Sequence, residues 1–354
     1  MAPPRAGRAE FHPLTVARVD PLTDDSAAVT FEVPPGLTNR FAFAPGQSLT
    51  IRRGDERRSY SICAVAGRPP RIGVREVAGG AVSGWLVHDV RAGDVIDVQA
   101  PSGSFTPDLD IPAHHVLIAA GSGITPVLSI AGSVLAAQDK SVVTLLYGNR
   151  RNDSVMFADE IADLKDAYPE RICLVHVLSR EPQEVELFNG RLDVAKLRTL
   201  LPVTVDVAAV DHWWLCGPFG LVEGAIGLLA ELGVPRGRVH RELFYVEDIA
   251  PAPATHAEAT AGPGAEVTVL LDGRSSTVTV PHGTPVLDGA QRVRPDLPFA
   301  CKGGVCGTCR ARVTAGEVTM ARNYALEAAE LADGFVLTCQ ARPVSEAVTV
   351  DFDS

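Results

Sequence analysis

Over residues 1–110, apolar and polar positions alternate in short runs (AAVTFEV, QSLTIRR, RSYSICAV, PRIGVREV and DVIDVQA), with Gly or Pro breaking the chain between them. A period of two with frequent turn residues predicts a small antiparallel β-barrel. From 111 to 249 the rhythm changes. Apolar strands (HHVLIAAG, SVVTLLYG, RICLVHVLS, HWWLCG) alternate with longer helical stretches (ITPVLSIAGSVLAAQ, SVMFADEIADLKDAY, FGLVEGAIGLLAELG), which predicts an α/β domain with a parallel sheet covered on both faces. Residues 250–264, APAPATHAEATAGPG, hold almost no bulky apolar group and read as a linker. Residues 265–354 then give a hairpin about Asp272-Gly273, a short helix in TPVLDGAQRV and a closing strand VTVDF, a compact α+β domain. The fold class read from the pattern is therefore multidomain: an antiparallel barrel, a parallel-sheet domain, a linker and a small α+β domain.

Composition narrows the function classes. The chain has 354 residues, is 46% hydrophobic and carries a net charge of −11. No segment is basic enough to bind nucleic acid. No apolar run reaches the ~20 residues of a membrane span, and MAPPRAGRAE lacks the apolar core of a signal peptide. A cytoplasmic monomer without membrane insertion is expected.

Seven cysteines are present, and Cys63, Cys173 and Cys216 stand singly in apolar surroundings. The other four crowd the last domain. Cys301, Cys306 and Cys309 follow C-x4-C-x2-C in CKGGVCGTC, and Cys339 comes after 29 intervening residues in LTCQA. This is the plant-type [2Fe–2S] spacing, and the glycines between the ligands let backbone amides approach a cluster. A zinc site more often uses two paired knuckles. A redox dithiol lacks its βαβ context here, and disulfides are rare in a cytosolic chain.

Three further motifs point to nucleotides. In RRSYSI, preceded by APGQSLTI, strand alternation suits Arg58 to a phosphate, Tyr60 to a flat ring and Ser61 to a polar ring atom. In REVAGGAVSGWL, Gly79, Gly80 and Ser83 precede an apolar helix whose N-terminal amides can receive a pyrophosphate. In AAGSGITP, residues Gly121 to Pro126 form a glycine turn between strand and helix, and CGP, Cys216 to Pro218, repeats that arrangement.

FACKGGVCGTCRARVTAGEV with LTCQARP resembles a plant-type ferredoxin domain of β-grasp fold over residues 265–354. RRSYSI, GGAVSGW and APSGSF resemble the flavin domain of the ferredoxin–NADP reductase family, and GSGITP with CGP resembles its nucleotide domain. In this order the chain is similar, over nearly its full length, to the reductase components of multicomponent oxygenases, among them those of phenylacetyl-CoA epoxidase and 3-ketosteroid 9α-hydroxylase. The resemblance implies a [2Fe–2S] cluster on Cys301, Cys306, Cys309 and Cys339, and FAD rather than FMN. By it, Arg58 and Ser59 bind flavin, Tyr60 packs on the ring, Ser61 lies near N5, and Gly80, Val82 and Ser83 hold the pyrophosphate. It also implies nicotinamide nucleotide at Gly121, Ser122, Gly123, Ile124, Thr125 and Pro126, with Cys216, Gly217 and Pro218 near the nicotinamide. Tyr60, Ser61 and Cys216 are the candidate catalytic residues. Arg150 and Arg151 in NRRNDS favour NADPH over NADH, Asp153 arguing the other way. Phe244 or Tyr245 is a candidate cover for the flavin face. The implied activity is transfer of electrons from NAD(P)H through FAD and the cluster to a terminal oxygenase or hydroxylase. A stand-alone reductase of small acceptors and a cluster-based redox sensor are the rival readings.

Overall fold

The computed structural model describes residues 10–54, 56–244, 264–299, 301–326 and 328–354; Tyr245 and residues 250–263 of the expected linker 250–264 lie outside them, and Gly264 opens the first strand of the C-terminal unit. The chain divides into two compact units. One comprises His12–Arg53 and Tyr60–Phe244, and the other takes in the C-terminal residues with Gly54–Ser59.

Six antiparallel strands curl into the first sheet: β1 (Phe11–Thr23), β2 (Ser26–Glu32), β3 (Ser48–Arg53), β4 (Glu56–Ser61), β5 (Arg71–Arg75) and β6 (Val95–Ser102), in the order β4-β3-β6-β1-β2-β5. Its two edges meet in a bridge between Ile62 and Ile72, which brings the sheet close to a closed barrel. Alternate residues fill the interior, with Leu14, Val29, Phe31, Leu49, Ile51 and Ile72 all fully buried. Helix α1 (Ala81–His88) seals it with Val82 and Leu86. The APGQ turn leads into β3: Gly46 has φ 90°, and a Cβ there would lie 1.9 Å from the Phe105 carbonyl oxygen.

The parallel sheet has the order β11-β10-β7-β8-β9, built from β7 (His114–Ala120), β8 (Val142–Asn149), β9 (Ile172–Leu178), β10 (His212–Cys216) and β11 (Val239–Glu242). Helices α2 (Ile124–Ala137), α3 (Ala158–Ala167), α4 (Val194–Thr204) and α5 (Phe219–Glu231) accompany it. Helix α2 is buried along nearly its whole length, because it meets the sheet on one side and the barrel's 64–66 segment on another. Its two hydroxyls at that seam are satisfied: Ser129 Oγ donates to the Ala64 carbonyl at 2.6 Å, and Ser133 Oγ accepts from the Ala66 amide at 3.0 Å. Barrel and parallel sheet thus share one core.

At the opposite ends of these strands from the glycine turns sits an aromatic–imidazole cluster. Trp214 Nε1 donates to His115 Nδ1 at 3.2 Å, Trp214 stacks on His240 at 4.1 Å, and His212 Nδ1 lies 3.2 Å from His240 Nε2. Each bond requires an unprotonated imidazole nitrogen. Burial, then the neighbouring His212, lowers His115 and His240 to about 4. The folded pKa lies below the unfolded one, so the unfolded chain binds more protons between these values, and stability falls as pH drops from about 6.5 to about 4. Urea midpoints are expected to decline over that window, and His240→Gln is expected to flatten the decline. An equally steep decline in the variant would contradict this origin.

The C-terminal unit holds a five-stranded sheet of order β13-β12-β18-β14-β16 and a ribbon of β15 with β17. The strands are β12 (Gly264–Leu271), β13 (Arg274–Pro281), β14 (Arg310–Ala315), β15 (Val318–Met320), β16 (Phe335–Leu337), β17 (Ala341–Pro343) and β18 (Ala347–Asp351). The β12–β13 hairpin turns at Asp272 and Gly273, both at positive φ as a two-residue turn demands. The first and last strands pair in parallel, and α6 (Val286–Ala290) packs beneath them with Val286 and Leu287 buried.

Candidate active site and cluster loop

Cys301 to Cys309 form a loop without regular secondary structure, entered from 297–299 and left through β14. Gly304 and Gly307 adopt φ of 80° and 67°, and Lys302 adopts 52°, which curls the backbone around its own interior. The Gly303 amide donates to Cys301 Sγ at 3.3 Å, and Gln340 Nε2 donates to Cys339 Sγ at 3.6 Å. The thiols come together two and two, Cys301 with Cys306 and Cys309 with Cys339, each pair within hydrogen-bond reach. Two thiol pairs with N–H donors aimed at sulfur fit a binuclear cluster.

In the other unit the glycine turns lie at the C-terminal ends of the parallel strands. Strand order reverses about β7, so the crevice between β7 and β10 is where such sheets take ligands. Gly121 to Gly123 make a short 3-10 turn after β7. Gly121 has φ 55°, and its carbonyl accepts from the Tyr147 hydroxyl at 3.0 Å. A Cβ on Gly123 would come within 2.1 Å of the Cys216 carbonyl oxygen, so the GSG and CGP turns touch through backbone alone. Gly121 and Ser122 remain half-exposed, whereas Ile124, Thr125 and Pro126 are buried and hold the turn from beneath.

Strand β4 delivers Ser61 to this crevice. Its Oγ donates to Glu242 Oε2 at 3.1 Å, and Glu242 pairs with Cys216 across β11 and β10. Glu242 is half-buried by area but enclosed by its surroundings, and that loss of water pushes its carboxyl up to about 8, the Ser61 hydroxyl offsetting part of the rise. Burial, then the Glu242 charge, pushes the Cys216 thiol up as well, which favours its protonated form. Tyr60 is half-buried at the rim of the barrel core, and Phe244 packs partly against the core shared by barrel and sheet.

The pyrophosphate candidates divide by side chain and backbone. Gly80 caps α1 in extended conformation, Val82 is buried in the barrel, and Ser83 Oγ accepts from the Val77 amide while donating to the Gly80 carbonyl. What this turn offers a phosphate is therefore backbone amide. Arg53 joins it, donating to the Ala81 carbonyl at 2.6 Å with its guanidinium over Trp85. Arg58 pairs with Glu56 Oε2 at 2.7 Å, and Ser59 is half-buried. Arg150 and Arg151 are exposed after β8, with Arg151 Nε 3.4 Å from Asp153. The Arg180 amide donates to the Arg150 carbonyl at 2.8 Å, which sets a further arginine beside this pair at the end of β9.

Two segments match known domain families: residues 117–226 the oxidoreductase NAD-binding domain, and residues 269–344 the 2Fe-2S iron-sulfur cluster binding domain. Over 352 residues the chain is 39% identical to one of the subunits of 1,2-phenylacetyl-CoA epoxidase from Escherichia coli K12, covering 97% of this chain and 98% of that protein. The chain belongs to the ferredoxin-reductase components of oxygenase systems. It is 36% identical over 354 residues to the ferredoxin reductase component of 3-ketosteroid-9-alpha-monooxygenase from Mycobacterium tuberculosis H37Rv, covering 96% of this chain and 95% of that one. Phthalate dioxygenase reductase shares the fold, with a TM-score of 0.59 at 22% identity over 97% of this chain and 98% of that one. The reductase is accordingly an oxidoreductase that passes electrons to a partner oxygenase, with a [2Fe–2S] cluster and a pyridine nucleotide. Among its described residues no helix is long and apolar enough to cross a membrane.

Proposed function

We propose that this reductase draws electrons from NADPH and delivers them singly, as a cytoplasmic monomer, to a terminal oxygenase. The assigned domains are 1–110 for FAD, 111–249 for the nucleotide, 250–264 as linker and 265–354 for the cluster. The observation that carries the reading is the meeting of three segments in one crevice: Ser61 from the RRSYSI strand, Cys216 and Gly217 from CGP, and Gly121 to Gly123. Bound FAD exchanges two electrons with a nicotinamide and one at a time with an iron–sulfur cluster. The chain's own residues orient and enclose. Ser61 and Glu242 hold a proton at the buried end of the crevice, the two glycine turns receive nucleotide through bare backbone, and Cys301, Cys306, Cys309 and Cys339 hold the iron. Oxygenases of the kinds named for the relatives, acting on phenylacetyl-CoA or a 3-ketosteroid, are the acceptor classes to try first.

Preference for NADPH rests on Arg150 and Arg180. Both are exposed, neither forms an ion pair among the described residues, and their backbones are bonded where adjacent strands end. A ribose 2′-phosphate needs such cations, and each charge-assisted bond contributes about 1.5–3 kcal/mol. Arg180→Ala is therefore expected to raise KM for NADPH on the order of tenfold or more, with kcat unchanged and NADH kinetics unaffected. Equal losses with both nucleotides would remove the 2′-phosphate assignment.

A further inference from the structure

The segment that wraps the cluster reverses the charge of the chain around it. The protein carries −11 overall, and residues 265–354 hold eleven acidic side chains to eight basic ones. Yet residues 301–326, the ligand loop with β14 and β15, contain Lys302, Arg310, Arg312 and Arg322 against the single acid Glu317, and Arg342 lies on β17. Two of these cations are neutralised in place: Lys302 pairs with Asp288 at 2.9 Å, and Arg310 pairs with Glu330. Arg312 donates to the Asp333 carbonyl. Arg322 and Arg342 are exposed and form no ion pair among the described residues.

Their placement ties them to the ligands. Arg342 is opposite Thr319 in the β15–β17 ribbon, three residues beyond Cys339. The Ala321 amide donates to the Gln340 carbonyl, and the Tyr324 amide to the Gly304 carbonyl at 3.0 Å. Between them the Arg322 carbonyl oxygen lies 3.4 Å from the point where Gly304 would carry a Cβ. Arg342 therefore stands on this ribbon, and Arg322 on the segment that leaves it, both packed against the cluster loop. Cys309 and Cys339 are 2% and 5% exposed, while Cys301 and Cys306, on either side of Gly304, are half-buried. The half-exposed ligands and these two exposed arginines mark one approach to the iron.

We propose that this arginine-flanked ribbon is the docking surface for the electron acceptor, and that the acceptor presents carboxylates to it. The inference rests on the reading of the chain as an oxygenase reductase. Over a Debye length of about 8 Å at physiological salt, an approaching protein feels this local field more than the distant acidic residues. Complementary charge raises the encounter rate and aligns the donor with the acceptor.

The test uses the full holoprotein with its cluster reduced by dithionite, so NADPH plays no part. Redox-inert hexacyanochromate(III), a paramagnetic trianion, is expected to accelerate relaxation of the reduced cluster's EPR signal, and Arg322→Glu with Arg342→Glu is expected to abolish the effect. Ferricyanide then accepts one electron per cluster, giving ferrocyanide and the oxidised cluster. That rate is expected to fall with ionic strength, and to drop about tenfold in the double variant. Stronger relaxation by cationic hexaamminechromium(III), or a double variant that behaves as wild type, would overturn the proposal. A cluster that dithionite reduces but NADPH does not would instead count against the reductase reading, leaving the surface intact.

Discussion

In Cys339→Ser the reductase is expected to lose its iron–sulfur absorbance and EPR signal while NADPH still bleaches its flavin at the wild-type rate. Cys339 belongs to a separate segment from the other ligands, and only tertiary structure brings it to Cys309. Thr338 makes that approach rigid: its amide and hydroxyl both donate to the Cys309 carbonyl, at 3.1 and 2.9 Å, and its own carbonyl accepts from the Leu287 amide. The serine variant keeps this framework, so the unit should fold while lacking the thiolate that iron requires. Electron delivery to a one-electron protein acceptor is expected to fall on the order of a hundredfold or more, because the two-electron donor is left without its one-electron outlet. Cys173→Ser serves as the control and should retain the cluster, since Cys173 is exposed on β9 in the other unit. A Cys339→Ser protein with an unchanged cluster spectrum would require a different fourth ligand.

The cluster loop is legible in the sequence because its determinants are local: three ligands and the glycines that curl the backbone fall within one short stretch. The parallel sheet is legible for a related reason, since each strand is a continuous apolar run and most of the helices show their own period. Strand β1 is not, because Pro13 and Pro21 break the expected alternation; the pairing with β2 absorbs the disturbance through register shifts at Val16/Arg18 and Pro21/Thr23. Helix α4 is hidden in the same way, with Pro202 inside its last turn. The site is legible as separate motifs but not as a constellation. Glu242 is 181 residues from Ser61, and nothing in RELFYVED marks its carboxylate as different from its neighbours. Arg180 after β9 is equally unmarked, because its interest depends on lying beside Arg150. Long-range pairing of polar groups has no period, and one sequence does not record it.

Glu242 carries the second large effect, and its sign follows from burial. The carboxyl sits near 8 in the folded protein against about 4.5 for its ordinary value, so between these limits the folded state binds more protons than the unfolded one. Its contribution to stability is full below about 4.5 and is lost as pH rises through about 8. Glu242→Gln retains an amide oxygen to accept from Ser61 and cannot ionise. The variant's melting temperature is expected to gain on wild type from about pH 4.5 to about pH 8 and then to level off, the reverse of the acid-side behaviour of the imidazole cluster. If that carboxyl proton serves Ser61 in turnover, wild-type hydride transfer is expected to decline on the alkaline side near pH 8 and Glu242→Gln to show no such decline. Ser61→Ala removes the donor itself, and general acid–base contributions of this kind imply a loss on the order of a hundredfold or more in flavin reduction. Gln and wild type diverging in rate at every pH by a constant factor would mean that the carboxyl only packs the crevice. A divergence confined to the alkaline limb places its proton in the path of the reaction, because packing alone has no reason to titrate.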